Sequence, residues 1–565
     1  MSVGVQDASD AARLALLVAG RGLRGAHARL QGGWRPAWQD AAGATDAERL
    51  LLAPQDLRAS DPVIAAEIYA GRFAFAGRVV ATEGRSPFAA PVPSRAWAEE
   101  LHGFGWLRHL RASERALSQA NARALVREWI AEIRPRHAAG WDPGVTARRI
   151  VSWLAHAPMI LEGADQRFHR TFVRSLLRQA RYLRRAAADA ELGLPRLLSA
   201  IALAELGLCL AGQPRLQRQS AAFLEDELCR QILPDGGHAS RNPGVLIELL
   251  LDLLPLRQAF LARGFEPPRA LLNAIDRMIP MLRFFRHRDG RFAAFNGMSV
   301  TPMEALATVL AYDDARGRPL RGAPHSGYQR IEAGRALIVV DAGRPPSLGF
   351  SRAAHAGCLS FEFSSGPARI VVNCGAPFHD DESWRMAARA TAAHSTLTVE
   401  DSSSCRFVDS AALKRWIGTP ILAGPEQVTV ERHDRDGAAT LMLSHDGYAR
   451  PFGLVHARFI GLAADGARLV GEDVLRPVGR EAEDRAYAVR FHLDPGVRVL
   501  EAGDATVRLG AAGETWLFEA QGLDAQIEES VCLAARQGPQ RSAQIVLHGR
   551  SGACPRVAWS FTRLA

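Results

Sequence analysis

Along the chain the hydrophobic positions change period once. Between about Trp97 and Gly317, segments such as "ARALVREWIAEIRPRH", "ARRIVSWLAHAPMIL", "RTFVRSLLRQARYLRRAA" and "VLIELLLDLLPLRQAFLARG" repeat apolar residues at intervals of three and four. That spacing lines one face of a helix. Gly, Pro and Asp-Gly breaks separate the segments. Several are apolar on more than one face, which predicts helices packed in layers. After His325 the runs become short and β-rich: "RALIVVDAG", "CLSFEFSS", "ARIVVNCG", "STLTVED", "ATLMLSHDG", "YAVRFHLD" and "SAQIVLHG", divided by turns such as "SHDG" and "DPG". Many short strands at that spacing predict an antiparallel sandwich or barrel. Upstream, "DPVIAAEIYAGRFAFAGRVV" predicts a helix and then a strand or hairpin. The expected division is an N-terminal extension over 1–96 packed on a helical domain over 97–324, followed by a β domain over 325–565.

Composition narrows the class. At 565 residues and 48% hydrophobic content the chain has the make-up of an ordinary multidomain globular protein. No apolar run is long enough to span a bilayer; "VLIELLLDLLPL" is short and carries Glu248 and Asp252. The N-terminus has a brief apolar patch preceded by acidic residues and no basic leader, so no secretory signal is read and a cytoplasmic location is expected from sequence. Seven scattered cysteines with no CxxC pair argue against a disulfide framework and against a cysteine zinc site. The net charge of +9 rests on arginine, with Lys414 the one lysine. Those arginines are spread along amphipathic helices with no basic stripe interleaved with aromatics, so no nucleic-acid partner is expected. A basic surface does favour an anionic ligand.

Two clusters carry candidate chemistry. The first is "PDGGHASRNPG", where His238, Arg241 and Asn242 follow two glycines and precede a helix opened by Pro243. These residues are expected on an exposed loop, with Asn242 as a helix cap and Arg241 solvated in the plainest reading. The second lies in "SRAAHAGCLSFEFSSGPARIVVNCGAP" and "RATAAHSTLTVEDSSS", where His355, Asn373 and His394 stand at strand ends. Two imidazoles and a third donor make a partial zinc shell, although histidines so far apart in sequence are more often structural.

The series "AHAGCLSFEF", "RIVVNCG", "AAHSTLTVED" and "YAVRFHLDP", together with the GGH loop, resembles the heparinase II/III family of polysaccharide lyases. The resemblance implies an α+β multidomain fold, an incomplete (α/α) toroid followed by an antiparallel β-sandwich, and an active site in the cleft between them. It implies β-elimination of an acidic, uronate-containing polysaccharide or oligosaccharide, and a place in the periplasm or cell envelope. Such chemistry needs the carboxylate neutralised, a base and an acid. By the same resemblance His238 is the base or proton shuttle, Arg241 and Asn242 neutralise the carboxylate, and His355, Asn373 and His394 hold one structural zinc. The family's metal site commonly has aspartate where Asn373 stands, and a histidine where Ala353 stands. Its catalytic tyrosine falls in "DGRFAAFNGM", which offers only Phe292 and Phe295; Tyr312 and Tyr328 are the nearest hydroxyls, and Tyr328 is the candidate acid. A family member that binds an anionic glycan without cleaving it is the alternative.

Overall fold

The computed structural model of the protein describes residues 13–15, 18–20, 22, 49–112, 115–133, 137–313, 317–379, 381–479 and 483–564. Most of the N-terminal stretch read for a secretion signal lies outside the described residues. Helices dominate up to Met303–Leu310, and the long ones run Arg115–Glu132, Gln166–Ala186, Leu194–Cys209, Pro214–Gln231, Pro243–Ala262 and Arg269–Phe285. Helix starts are set by local chemistry: Asp61, Ser94, Asp142, Asp165 and Asn242 each accept a backbone N–H of the first turn through the side chain. The predicted helix and hairpin upstream are Pro62–Tyr69 with Arg72–Phe75 against Arg78–Ala81, and their apolar residues join the core of the long helices. None of the helices is long and apolar enough to cross a membrane.

The β half is built on two large antiparallel sheets, with a small two-stranded one formed by Arg406–Phe407 and Ile421–Ala423. One large sheet holds eight strands in the order Val428–Arg435, Ala438–His445, Leu454–Leu462, Arg468–Pro477, Arg556–Leu564, Glu514–Gln521, Thr506–Ala511 and Arg498–Ala502. The other runs Ala525–Cys532, Gln540–Arg550, Ala486–Leu493, Ala368–Val372, Phe361–Ser365, Ala336–Asp341, Tyr328–Ala333 and Gly322–Ala323, with Leu397–Val399 added alongside Ala486–Leu493. Neither sheet closes into a barrel, so the sandwich is the outcome.

Burial explains why some strands alternate in sequence and others do not. In the eight-stranded sheet, Ala438–His445 buries every second residue, the pattern of a sheet with one wet face. Ala336–Asp341 is buried throughout. Its Ile338 and Val340 belong to the sandwich core, while Leu337 and Val339 join the helical core. The central sheet is therefore covered on both sides, and each such aliphatic side chain contributes about 1.5–3 kcal/mol by leaving water. Phe361–Ser365 is equally enclosed, and register places Glu362 opposite Val339 and Ser364 opposite Leu337, on the face that meets the helices. A carboxylate thus sits at the seam between the two halves.

Candidate functional site

The loop between the helices Pro214–Gln231 and Pro243–Ala262 is shaped by close approach. A Cβ on Gly236, whose φ is +89°, would lie 2.0 Å from the carbonyl oxygen of Arg277, and one on Gly237 would lie 1.8 Å from Ser326 Oγ. No side chain fits at either position. Asp235 accepts both the N–H and the hydroxyl of Ser326, at 2.7 and 2.6 Å, which ties the loop to the chain entering the β half.

The expected exposed loop is buried. His238 is 2% exposed, with Nε2 3.0 Å from Gln231 Oε1 and Nδ1 2.7 Å from Ser240 Oγ. Burial pulls its pKa down to about 4, so the ring is neutral at physiological pH. Arg241, at φ +60°, turns its guanidinium into the seam. Nε donates to Ser326 O, Nη1 to Gly343 O and Arg344 O, and Nη2 to Gly327 O and to Asp341 Oδ1 at 2.5 Å. Burial alone would lower its pKa, but Asp341 more than restores it, and the group stays charged. Every donor edge of the guanidinium faces a protein oxygen. The carboxylate-gripping role expected of Arg241 is corrected on this ground: its fork already holds one carboxylate and four carbonyls.

Tyr328 stands over the same guanidinium, 4.7 Å from ring centroid to Arg241 Cζ. Its hydroxyl donates to Arg241 O at 2.7 Å and accepts from Asn296 Nδ2 at 2.7 Å. The side chain is fully buried, and desolvation raises its pKa despite the nearby Arg241. A hydroxyl so committed has no open side toward a substrate, which corrects the role of proton donor. Asn242 does what the plainest reading expects, accepting the Gly244 N–H at 2.8 Å as the cap of the next helix. Phe292 and Phe295 are buried in the helical core.

At the second cluster, His394 Nδ1 lies 2.8 Å from Ala390 O, which can only accept, so that nitrogen carries the proton. His394 Nε2 then accepts, and His355 Nδ1, 3.1 Å away, donates to it. His355 is left with Nε2 as its lone-pair nitrogen. Burial lowers both pKa values, that of His394 to about 4, and His394 and Arg389 add to the lowering at His355. Asn373 accepts Ser395 N–H through Oδ1 at 3.0 Å, while its Nδ2 is buried without a partner.

A profile of the heparinase II/III-like C-terminal domain matches residues 315–560. FtsZ-localized protein C of Caulobacter vibrioides is 33% identical over 576 residues, covering 95% of this chain and 97% of that protein. The chain belongs to the heparinase II/III-like family. Among solved structures, a heparinase III shares the fold with a TM-score of 0.68 at 12% identity, over 86% of this chain and 80% of that one. A mutant of the heparan sulfate lyase HepC from Pedobacter heparinus gives 0.62 at 16% identity, over 98% and 88%. The toroid followed by a sandwich is thus the architecture of this heparinase-like chain.

The zinc implied by the family does not fit these residues. Asn373 Oδ1 is held by a backbone N–H, and a flipped amide would set its NH2 against that same donor. The set is then two neutral imidazoles and one amide oxygen, with no anionic ligand to balance the ion. No group of three or more His, Cys, Asp or Glu suited to a metal occurs among the described residues. The ligand roles expected of His355, Asn373 and His394 are corrected accordingly.

Residue types alone did not single out the groups that organise this seam. Glu362 is fully buried and accepts Ala294 N–H at 2.9 Å, Asn373 N–H at 3.1 Å and His287 Nε2 at 3.1 Å, and pairs with Arg369. Burial works to raise its pKa, but Arg369 and His287 hold it down at about 2. The signal was present: a glutamate between two phenylalanines in "FEF" and an aspartate closing "LIVVD" are acids in otherwise apolar strands.

Proposed function

We propose that this protein is a catalytically altered member of its family, one that holds an acidic, uronate-containing glycan at the junction of the helical and β halves without cleaving it. One observation carries the reading: each group that elimination would require, the imidazole of His238, the guanidinium of Arg241 and the hydroxyl of Tyr328, has its polar atoms committed to protein partners. Elimination needs a base near the working pH, and an imidazole held at about 4 supplies little drive to take a C5 proton. The basic surface supports an anionic ligand. The Caulobacter relative is named for its localization with FtsZ.

A second reading, elimination by a relocated base, draws on the His355 pair, although burial lowers the basicity of His355 as it does that of His238. His394 orients His355 so that Nε2 is unprotonated, the arrangement in which one imidazole sets the tautomer of another. One experiment separates the two. The wild-type protein is mixed with heparan sulfate, alginate and polygalacturonate while ultraviolet absorbance of the unsaturated product is followed, and the same mixtures are examined by calorimetry. Heat without absorbance supports holding. Absorbance that rises with time, and is lost in His355→Gln, supports the relocated base.

A further inference from the structure

The two large sheets end in four edge strands, and one of them differs from the rest. A free edge offers unpaired N–H and C=O groups to any strand that can align with it, and native edges are kept short, bulged or charged. Gly322–Ala323 is two residues long, and Arg498–Ala502 shifts register against its neighbour. Ala525–Cys532 carries the adjacent Glu528 and Glu529 and no basic residue. Val428–Arg435 instead pairs with Ala438–His445 along all eight of its residues without a shift. Its other side has no strand beside it among the described residues, and 429–431 and 433–435 are exposed.

Register assigns the faces of this edge. Glu431 lies opposite Met442, which is 42% exposed, so Glu431, His433 and Arg435 share the outer, wet face. Arg432 lies opposite the buried Leu441 and shares the inner face with Val430 and Asp434. Arg432 Nη1 donates to the carbonyls of Arg321 at 2.6 Å and Arg330 at 2.9 Å, which fastens the edge to the second sheet, and its Nε donates to Asp434 Oδ1 at 2.9 Å. On the outer face Glu431 has no ion-pair partner among the described residues, and Arg435 has its chain neighbour Asp436 at 3.4 Å with both side chains in water. These charges are held by the strand and left open to a partner.

The order of the charges selects the partner. A second copy can extend the edge about a twofold axis, the symmetry of most protein dimers. Outer residues must then meet outer residues, so the axis passes through a residue and not between two. Axes through Glu431, Arg432, Asp434 or Arg435 set like charges directly opposite each other, which is unfavourable, and one through Val430 opposes no charges of opposite sign. An axis through His433 sets Glu431 opposite Arg435 twice and Arg432 opposite Asp434 twice. Every Glu, Asp and Arg of 431–435 then meets its opposite sign. We infer that the protein forms a homodimer through this edge, with Val428–Arg435 of two copies paired antiparallel about His433, so that their eight-stranded sheets run on as one. The shared ladder is short, so the dimer forms reversibly as concentration rises.

Sedimentation equilibrium from about 1 μM to about 200 μM reads the association. The samples are wild type, Glu431→Arg, Arg435→Glu and an equimolar mixture of the two variants. Both substituted side chains are exposed, so thermal midpoints should not move. The wild-type average mass should climb from one chain toward two. Each variant alone sets like charges opposite each other and should associate at least tenfold more weakly; the mixture should recover the wild-type strength, because a mixed pair restores opposite signs at both sites. Wild type that stays a single chain throughout would overturn the proposal. A dimer indifferent to both variants would place the contact on another surface, and a mixture as weak as its components would deny the register; either result overturns it. Should a variant unfold, hydrogen exchange of the wild type decides: amide protection over 431–435 that rises with concentration supports the pairing, and exchange indifferent to concentration overturns it.

Discussion

Two regions of the seam between the helical and β halves teach different lessons about polar groups. Around Arg241 and Tyr328 each functional-looking atom has a protein partner, and the cluster works as a rivet joining the loop after Gln231 to the strands that begin the β half. Around Asn373, by contrast, Asn373 Nδ2, Arg369 Nε and Ser299 Oγ are buried without a protein partner. Residue identity alone favours the first region as a reaction centre, since it holds the histidine, the arginine and the tyrosine. Hydrogen-bond accounting instead marks the first as a filled structural joint and the second as the place where polar atoms go without a protein partner.

The contrast breaks most visibly under mutation. Arg241→Met strands the buried Asp341 carboxylate and should lower unfolding free energy by about 3–5 kcal/mol in chemical denaturation, with uronate binding retained by the folded fraction. Adding Asp341→Leu should recover much of that loss, because a pair replaced whole leaves no unpaired charge. If Arg241→Met were as stable as wild type, the rivet would be wrong. Glu362→Gln keeps the shape but removes the charge facing Arg369 and His287, and should cost about 1.5–3 kcal/mol. Tyr328→Phe, which orphans Arg241 O and leaves Asn296 Nδ2 with Asp341 Oδ2 alone, should cost about 1–3 kcal/mol without changing ligand affinity.

Acid should act in two stages. His238, His394, His109 and His156 are held neutral with pKa values of about 4 by burial, below the unfolded value near 6.5. The unfolded chain therefore binds more protons between those limits, and stability should fall as pH drops from about 6.5 to about 4. Glu362 and Asp252 sit at about 2, depressed by Arg369 for the first and by Arg148 and Arg58 for the second against the upward push of burial. Their contribution is present above the unfolded carboxylate pKa and should be lost as pH falls from about 4.5 toward about 2. Thermal midpoints measured across pH 8 to 3 should decline from the histidine range onward; a flat profile down to pH 4.5 would contradict the buried neutral rings. Asn373→Asp puts a carboxyl in place of an amide at a position only 2% exposed and next to Glu362, and should lower stability at neutral pH by about 1–3 kcal/mol, read as a drop in the thermal midpoint.

Much of the architecture could be read from hydrophobic period. The helix and hairpin near Pro62, the long helices and strands such as Ala336–Asp341 follow it directly. Tyr328–Ala333, Ala525–Cys532 and Arg556–Leu564 escaped notice, the second having little apolar content and the third lying at the chain end. The site was legible only as a set of residue types. His238, Arg241 and Asn242 do share one loop, but what Arg241 does is decided by Ser326, Asp341 and Gly343, some 85 to 102 residues away along the chain. Spacing cannot tell a guanidinium waiting for a ligand from one already paired across such a distance. The same holds for Asn373, whose empty donor is a property of packing and not of sequence.

The most direct measurement is a time course of ultraviolet absorbance at neutral pH with wild-type protein and a uronate polymer that binds it, repeated with His238→Gln. The account predicts a flat trace for both proteins while calorimetry records binding by each. A rising trace in wild type that vanishes in a folded His238→Gln variant would contradict it, by showing that the buried imidazole reaches a substrate after all.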